Sequence, residues 1–317
     1  MKNILEVKNL EKHFEVSKGI FSRNKTLVKA VDGISFEILR GESLGLVGQS
    51  GCGKTTTARA LSLLDPKTSG TILFNDPNTS SMINIDDLDD EGMKEFRRNI
   101  QMIFQDPYES LNPRWSIKDI ILEPLNIHNI GSLEEREEAV KEILQTVGIT
   151  PPENYLSRYP HELSGGQRQR VSIARTLIMK PKFVICDEPT SMLDVSIRIS
   201  IMDLMLNLAK DLNVSYLYIT HDLAVARYMC NNIAVMFNGK LVEIAPTEEL
   251  LNNPIHPYTK RLISSIPIPD PSYARKEYKV DFSELDKIIS TNTDKDMVEI
   301  SNSHFVSTHD TKEFFEV

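Results

Sequence analysis

The chain has 317 residues, 40% hydrophobic and 26% charged, a soluble globular composition with enough apolar residue for one large domain plus an appendage or for two ordinary domains. A net charge of −9 weighs against a general nucleic-acid binder, which needs clustered Lys and Arg to neutralise phosphates, although ten acidic against five basic residues from Lys276 onward carry about half of it. Three scattered cysteines (Cys52, Cys186, Cys230) exclude a disulfide framework or zinc site, and no apolar run approaches the ~18 residues that span a bilayer.

The N-terminal stretch carries charges every few residues and no apolar segment of the signal-peptide kind, so none is expected. Residues 1–47 read as β-rich. Ile4–Lys8 alternates imperfectly and Gly33–Ile38 alternates well, with a polar loop expected over Ser17–Lys25. Leu44–Val47 is a short apolar run ending in glycine, the pattern of a buried strand feeding a turn, and Thr56–Leu64 then predicts a helix. Residues 76–92 are polar and acidic and predict an insertion or surface loop.

From Ser116 to about Pro160 the period becomes helical. Ser132 to Glu135 matches a capping box, and Leu133, Val140, Ile143, Leu144 and Val147 are expected on one face. A further helix is expected from Gly166 to about Met179. Phe183–Cys186 and Val214–Ile219 predict core strands of a parallel sheet with a helix between them. Ile233–Phe237, Asn238-Gly239 and Leu241–Ile244 predict a β-hairpin. Beyond Pro271 the chain is Ser/Thr/Asp-rich and weakly patterned, and partial disorder is expected there.

Gly48-Gln49-Ser50-Gly51-Cys52-Gly53-Lys54-Thr55, followed by Thr56, matches the P-loop pattern between a predicted strand and a predicted helix. Glycines let backbone N–H groups turn inward around phosphate oxygens, and the helix that follows aims its positive end at the anion. Lys54 is expected on the β/γ-phosphates and the Thr55 hydroxyl on Mg²⁺. Alone, this motif implies only a nucleoside triphosphate. Phe183 to Cys186 then runs into Asp187-Glu188. A carboxylate ending a buried strand is costly without a cation nearby, and Mg²⁺ beside the P-loop supplies one. Asp187 is expected to hold the ion through water and Glu188 to polarise the attacking water.

Leu163-Ser164-Gly165-Gly166-Gln167 makes a second phosphate cap, two glycines and a serine opening a helix, twenty residues before Asp187. Here the chain resembles the ABC ATPase family, whose signature is this string. The resemblance implies an α/β P-loop NTPase fold, with a RecA-like core, an antiparallel β subdomain, an α-helical subdomain and a C-terminal extension. It assigns Gln105 to the Q-loop, touching Mg²⁺ and the attacking water, and His221 to the γ-phosphate. Asp194 becomes the D-loop acid, although Met192 replaces the usual small residue two positions before it. Phe14 takes the place of the aromatic that stacks on adenine, with Phe21 as rival. In this family, the P-loop of one subunit faces the signature of another. One copy of each motif therefore implies a dimer in which Ser164, Gly165, Gly166 and Gln167 serve the partner's ATP.

Arg158-Tyr159-Pro160-His161-Glu162, Asn253 to Lys260 and the Pro-rich Ile266 to Pro271 narrow the resemblance to the oligopeptide/dipeptide importers, of the OppF/DppF type. The expected organisation is an ABC domain over residues 1–250 (helical subdomain about 106–165), the extension over 251–272 and a polar acidic tail over 273–317. The expected ligands are ATP and Mg²⁺. An iron–sulfur cluster, which some members hold near the extension, is not expected, because it needs about four cysteines and none follows Cys230. Implied partners are a second, related ATPase in a heterodimer, two integral membrane permeases and an extracellular solute-binding protein, with no nucleic acid. Residues 106–115, with Tyr108 and Trp115, lie where the family receives a permease helix. The implied location is the cytoplasmic face of the cell membrane. A soluble ABC protein acting on DNA or ribosomes is disfavoured by the lack of a coiled-coil insertion or second cassette. Import of nickel or another small solute uses the same engine.

Overall fold

Strands open the chain. The computed structural model describes residues 2–17, 25–76, 81–265, 297–301 and 303–307. Alternation near the N-terminus extends into two long strands, β1 (Asn3–Ser17) and β2 (Lys25–Leu39). Most of the loop expected between them, with Phe21, lies outside the described residues. Then follow β3 (Ser43–Val47), α1 (Lys54–Leu61), β4 (Ser69–Asn75), β5 (Met82–Asn84), α2 (Asp90–Asn99) and β6 (Ile100–Ile103). The middle of the chain is helical, with α3 (Pro107–Ser110), α4 (Ile117–Ile127), α5 (Leu133–Thr146) and α6 (Gly165–Leu177). After these come β7 (Phe183–Asp187), α7 (Val195–Leu212), β8 (Ser215–Thr220), α8 (Leu223–Met229), β9 (Asn232–Phe237) and β10 (Lys240–Pro246). Two short helices, α9 (Thr247–Asn252) and α10 (Pro257–Ser264), and a last pair of strands, β11 (Met297–Ser301) and β12 (His304–Ser307), complete the described chain.

The chain divides into two compact units, the first made of Met1–Ile4, Leu39–Glu42 and Phe74–Leu217, the second of Leu5–Ile38, Ser43–Leu73 and Tyr218–Val317. In the first, β6 and β7 pair in parallel from Ile100↔Phe183 to Ile103↔Cys186. α4, α5 and α6 pack on one another, and α6 also packs on α7 and on β6. Burial of Ile120, Ile121, Val140, Leu144, Val171 and Ile173 drives that assembly. The predicted capping box opens α5, with Ser132 Oγ accepting from Glu135 N (3.2 Å) and Ser132 N donating to Glu135 Oε2 (2.7 Å). Leu133 does not join the apolar face. As the first residue of α5 it is 63% exposed, and Ile143 is only half-buried.

Of residues 76–92, 77–80 lie outside the described residues, and 81–92 are not a plain surface loop. They contain β5, a single 3₁₀ turn and the start of α2. The acidic run that suggested solvation is a helix beginning: Asp89 caps α2 by accepting from Gly92 N (2.8 Å), Asp90 and Glu91 fill its first turn, and Arg97 and Arg98 its last.

In the second unit β3 pairs in parallel with β9 and β9 forms the predicted hairpin with β10. Val47, Leu223, Ala226, Ile233, Val235, Val242, Ala245, Leu250 and Tyr258 form its core cluster. The region expected to be a polar acidic tail, partly disordered, contributes a hairpin. β11 pairs with β12, and β12 adds to the β10 edge through Glu243↔Val306 and Ile244↔Phe305. The remaining tail residues, 273–296, 302 and 308–317, lie outside the described residues, as does the Pro-rich stretch 266–271.

A buried ion pair anchors that hairpin. Glu243, on β10 and 0% exposed, accepts from His304 at 2.7 Å, and Glu249 stands 3.7 Å from the other ring nitrogen. The hydrogen bond to Glu243, aided by both carboxylates and opposed by burial, raises the His304 pKa above its ordinary 6.5. A raised folded-state value means the contact stabilises fully below about pH 6.5 and loses its contribution as pH rises through the folded pKa. The thermal destabilisation caused by His304→Ala is therefore expected to be greatest at pH 6 and to shrink toward pH 9. A melting-temperature difference that stays constant over this range would remove the charge from the account.

Candidate functional site

All five residues of β3 are buried, which fixes the point where the chain must turn. Gly48 follows directly, and a Cβ there would stand 2.2 Å from the Met236 carbonyl oxygen. Gly53 has φ +114°, and its Cβ would meet the Ala30 carbonyl at 2.2 Å. No side chain fits at either position, so the loop can wrap tightly only with glycine. Two further hydrogen bonds set its curve, from Cys52 N to Gln49 O (3.3 Å) and from Gly239 N to Cys52 O (2.9 Å). α1 starts at Lys54 with no side-chain cap and no acidic residue in its first turn, leaving its positive end to an anion.

Lys54 lies within this cradle, 5% exposed. Its ammonium donates to Gly48 O (2.7 Å) and Gln49 O (3.0 Å) and lies 3.9 Å from Cys52 Sγ, all neutral partners. Burial pushes the Cys52 thiol up despite the neighbouring Lys54 charge, so it stays protonated. A buried cation satisfied, among the described residues, by dipoles fits a site made for an anionic group. At the end of β8, His221 is exposed and precedes Asp222, whose side chain caps α8 by accepting from Ala224 N (2.8 Å). Phe14, on β1, is 39% exposed, with Lys12 Nζ 4.9 Å from its ring centre.

The first unit carries the acidic residues. Asp187 is buried as the last residue of β7, and Glu188 leaves the strand at φ +46°. That left-handed conformation costs a non-glycine residue about 1–3 kcal/mol. Its carbonyl accepts from Ser191 N (3.1 Å) and Ser191 Oγ (3.0 Å), which hold the turn. Parallel pairing of Ile103 with Cys186 sends Gln105 off the same sheet edge as Asp187 and Glu188, at the carboxyl ends of neighbouring strands where α/β proteins place ligands.

The signature glycines open α6. Ser164 Oγ accepts from Gln167 N (3.3 Å) and Gln167 Oε1 from Ser164 N (3.0 Å), a capping box that leaves the serine O–H able to donate outward. Gly166 lies against α7, where a Cβ would approach Ile197 Cγ2 to 2.7 Å. Arg168 stacks on the Tyr108 ring at 4.0 Å and donates to Pro160 O (2.6 Å). Asp194 begins α7, is exposed and makes no cap hydrogen bond.

The ABC transporter family matches residues 31–191, half of the chain and the whole span from the cradle through the signature to Glu188. The chain belongs to the ABC transporter family. A second family, the oligopeptide/dipeptide transporter C-terminal region, matches residues 242–287. The oligopeptide transport ATP-binding protein OppF of Bacillus subtilis is 46% identical over 304 residues, covering 96% of this chain and 95% of that protein. The di/tripeptide transport ATP-binding protein DppF of Pseudomonas aeruginosa is 42% identical over 274 residues, covering 86% and 82%. Among solved structures, the ATP-binding cassette MJ0796, a dimer in a post-hydrolysis state bound to ADP and Pi, is 29% identical with a TM-score of 0.65, covering 77% of this chain and 98% of that one.

Within this ABC chain, the predicted site residues fall into the two units. Gly48–Thr56, Phe14 and His221 belong to the second; Gln105, Asp187, Glu188, Asp194 and Ser164–Gln167 belong to the first. Sequence reasoning missed Tyr258, whose hydroxyl accepts from Gln49 N at 3.0 Å. The HPYT string in the extension marked its place but carried no chemistry of its own. Substituting Gly48 by alanine is expected to force the loop off Met236 and abolish ATP binding, with stability lowered by about 1–3 kcal/mol. Calorimetric titration with ATP checks this, and binding within threefold of wild type would refute the tight-cradle account.

Proposed function

We propose that the chain binds ATP in the cradle Gly48–Thr56 and hydrolyses it to power the import of oligopeptides or dipeptides. The observation that carries the ATP reading is the buried Lys54 ammonium, satisfied by neutral groups in a loop where side chains cannot fit. The peptide reading rests on the match over residues 242–287 and on two peptide-transport relatives aligned over 95% and 82% of their lengths.

Each residue then has a task. Backbone N–H groups of the loop and the start of α1 bind the phosphates, and Lys54 neutralises charge on the β/γ oxygens. Phe14 stacks on the adenine. Glu188 orients and polarises the attacking water, and His221 and Gln105 contact the γ-phosphate and the water. Thr55, Gln105 and Asp187 would hold a Mg²⁺ ion, which supplies charge neutralisation across the phosphates. No iron–sulfur cluster is proposed.

The signature helix serves a second subunit. Ser164, Gly165, Gly166 and Gln167 cap the γ-phosphate held by the partner ATPase, with Asp194 at the same interface. The partner is a second, related ATPase, and the pair drives two membrane permeases fed by an extracellular solute-binding protein. No described helix is long and apolar enough to cross a membrane, so in this reading the permeases supply the spans and the chain sits at the cytoplasmic face.

Glu188→Gln is expected to lower ATP hydrolysis at least about a hundredfold while leaving ATP affinity within threefold. Purified from native membranes with ATP and Mg²⁺, the same variant should bring down two permeases and a second ATPase. Full hydrolysis by the variant would remove Glu188 from the mechanism. Recovery of ribosomes or DNA-associated proteins without membrane chains would overturn the transport reading.

A further inference from the structure

The C-terminal extension reaches back to the phosphate loop through one hydroxyl. Tyr258, on α10 and 1% exposed, accepts a hydrogen bond from Gln49 N at 3.0 Å. That N–H belongs to the peptide group joining Gly48 to Gln49. The carbonyl of the same peptide group, Gly48 O, accepts the Lys54 ammonium at 2.7 Å. One peptide plane is thus pinned at both ends, by a phenol on its N–H and by the nucleotide-site lysine on its C=O. Rotating this plane would orphan the N–H and move the Lys54 anchor together.

The tyrosine is itself held rigidly. Its ring packs on Phe237 with centroids 4.3 Å apart, and Phe237 ends the strand that leads to Gly239, which donates to the loop at Cys52. The start of α10 is fixed by a buried carboxylate. Glu243 Oε1 accepts from Ile255 N (2.8 Å) and Glu243 Oε2 from His256 N (3.0 Å), while His256 Nδ1 accepts from Tyr258 N (3.1 Å). Glu243 also receives His304 from the C-terminal hairpin. A continuous set of short polar contacts therefore runs from β12 through Glu243 and α10 to the first peptide of the phosphate loop.

We infer that Tyr258 is a positioning residue for the nucleotide site: its hydroxyl fixes the Gly48–Gln49 peptide, and through it Lys54, so that the extension and the phosphate loop are energetically coupled. This rests on the assignment of Gly48–Thr56 as the nucleotide cradle. Coupling between two sites is reciprocal, so a hydroxyl that favours nucleotide binding must also be felt by the extension when nucleotide binds.

The test uses the full chain and its Tyr258→Phe variant, which keeps the ring packing and removes only the hydroxyl. One neutral hydrogen bond lost at a buried N–H is expected to weaken ADP and ATP affinity about three- to tenfold. KM for ATP should rise by the same factor with kcat within twofold, because the peptide is pinned in ground and transition states alike. In the wild type, ADP should slow hydrogen exchange at the α10 amides at least threefold more than in the variant. A variant with lowered melting temperature but unchanged nucleotide affinity would overturn the inference and leave Tyr258 a packing residue. Should the variant not fold, exchange on the wild type alone decides: α10 amides indifferent to ADP overturn the coupling, and slowed exchange supports it. A wild-type chain that binds no ATP would overturn the nucleotide reading and this inference with it.

Discussion

The ammonium of Lys54, buried beneath the loop and held by the carbonyls of Gly48 and Gln49, is the contact on which the rest of the site depends. Burying a cation costs several kcal/mol unless dipoles or an anion compensate. The surrounding chain is arranged to supply those dipoles. The loop can turn its carbonyls inward only because Gly48 and Gly53 leave room against Met236 and Ala30. Those two neighbours stay in place because β9 pairs with β3 and Asp32 N bonds to Gly239 O.

The second unit is therefore a frame for one peptide loop. β3 delivers it, α1 carries it onward, the β9–β10 turn clamps it at Cys52, and α10 reaches its first peptide through Tyr258. The C-terminal hairpin completes the frame, since Glu243 is shared between His304 and the N–H groups that open α10. A polar node at this depth is tolerable because both carboxylate oxygens are satisfied.

The first unit solves a different problem. It ends a buried strand in two acidic residues, Asp187 buried and Glu188 half-buried, and opens a helix with two glycines. The turn after Asp187 stores strain at Glu188 and is held by Ser191. The signature helix is capped by its own Ser164 and Gln167 and packed on α7 through Gly166. Gly165 at its start is half-buried and Gly166 is buried.

Sequence alone determined the family and the class of fold. A glycine loop leading to Lys54 and Thr55, a strand ending in Asp187-Glu188 and the Ser164–Gln167 helix start are each local strings, legible in residues whose spacing sets their geometry. The core strands were legible for the same reason, since fully buried strands read as apolar runs. Tertiary structure decided what depends on distant partners. The acidic stretch before α2 became a helix start rather than a loop because its charges serve the helix dipole, which composition does not distinguish from solvation. The strand His304–Ser307 has no strong alternation; it is placed by backbone pairing to a sheet edge and one buried ion pair. Tyr258 reads as one aromatic in a Pro-rich extension until the fold brings its hydroxyl to Gln49, 209 residues away in sequence. Pattern records what a residue does with its neighbours in the chain, and contacts of that range leave no periodic trace.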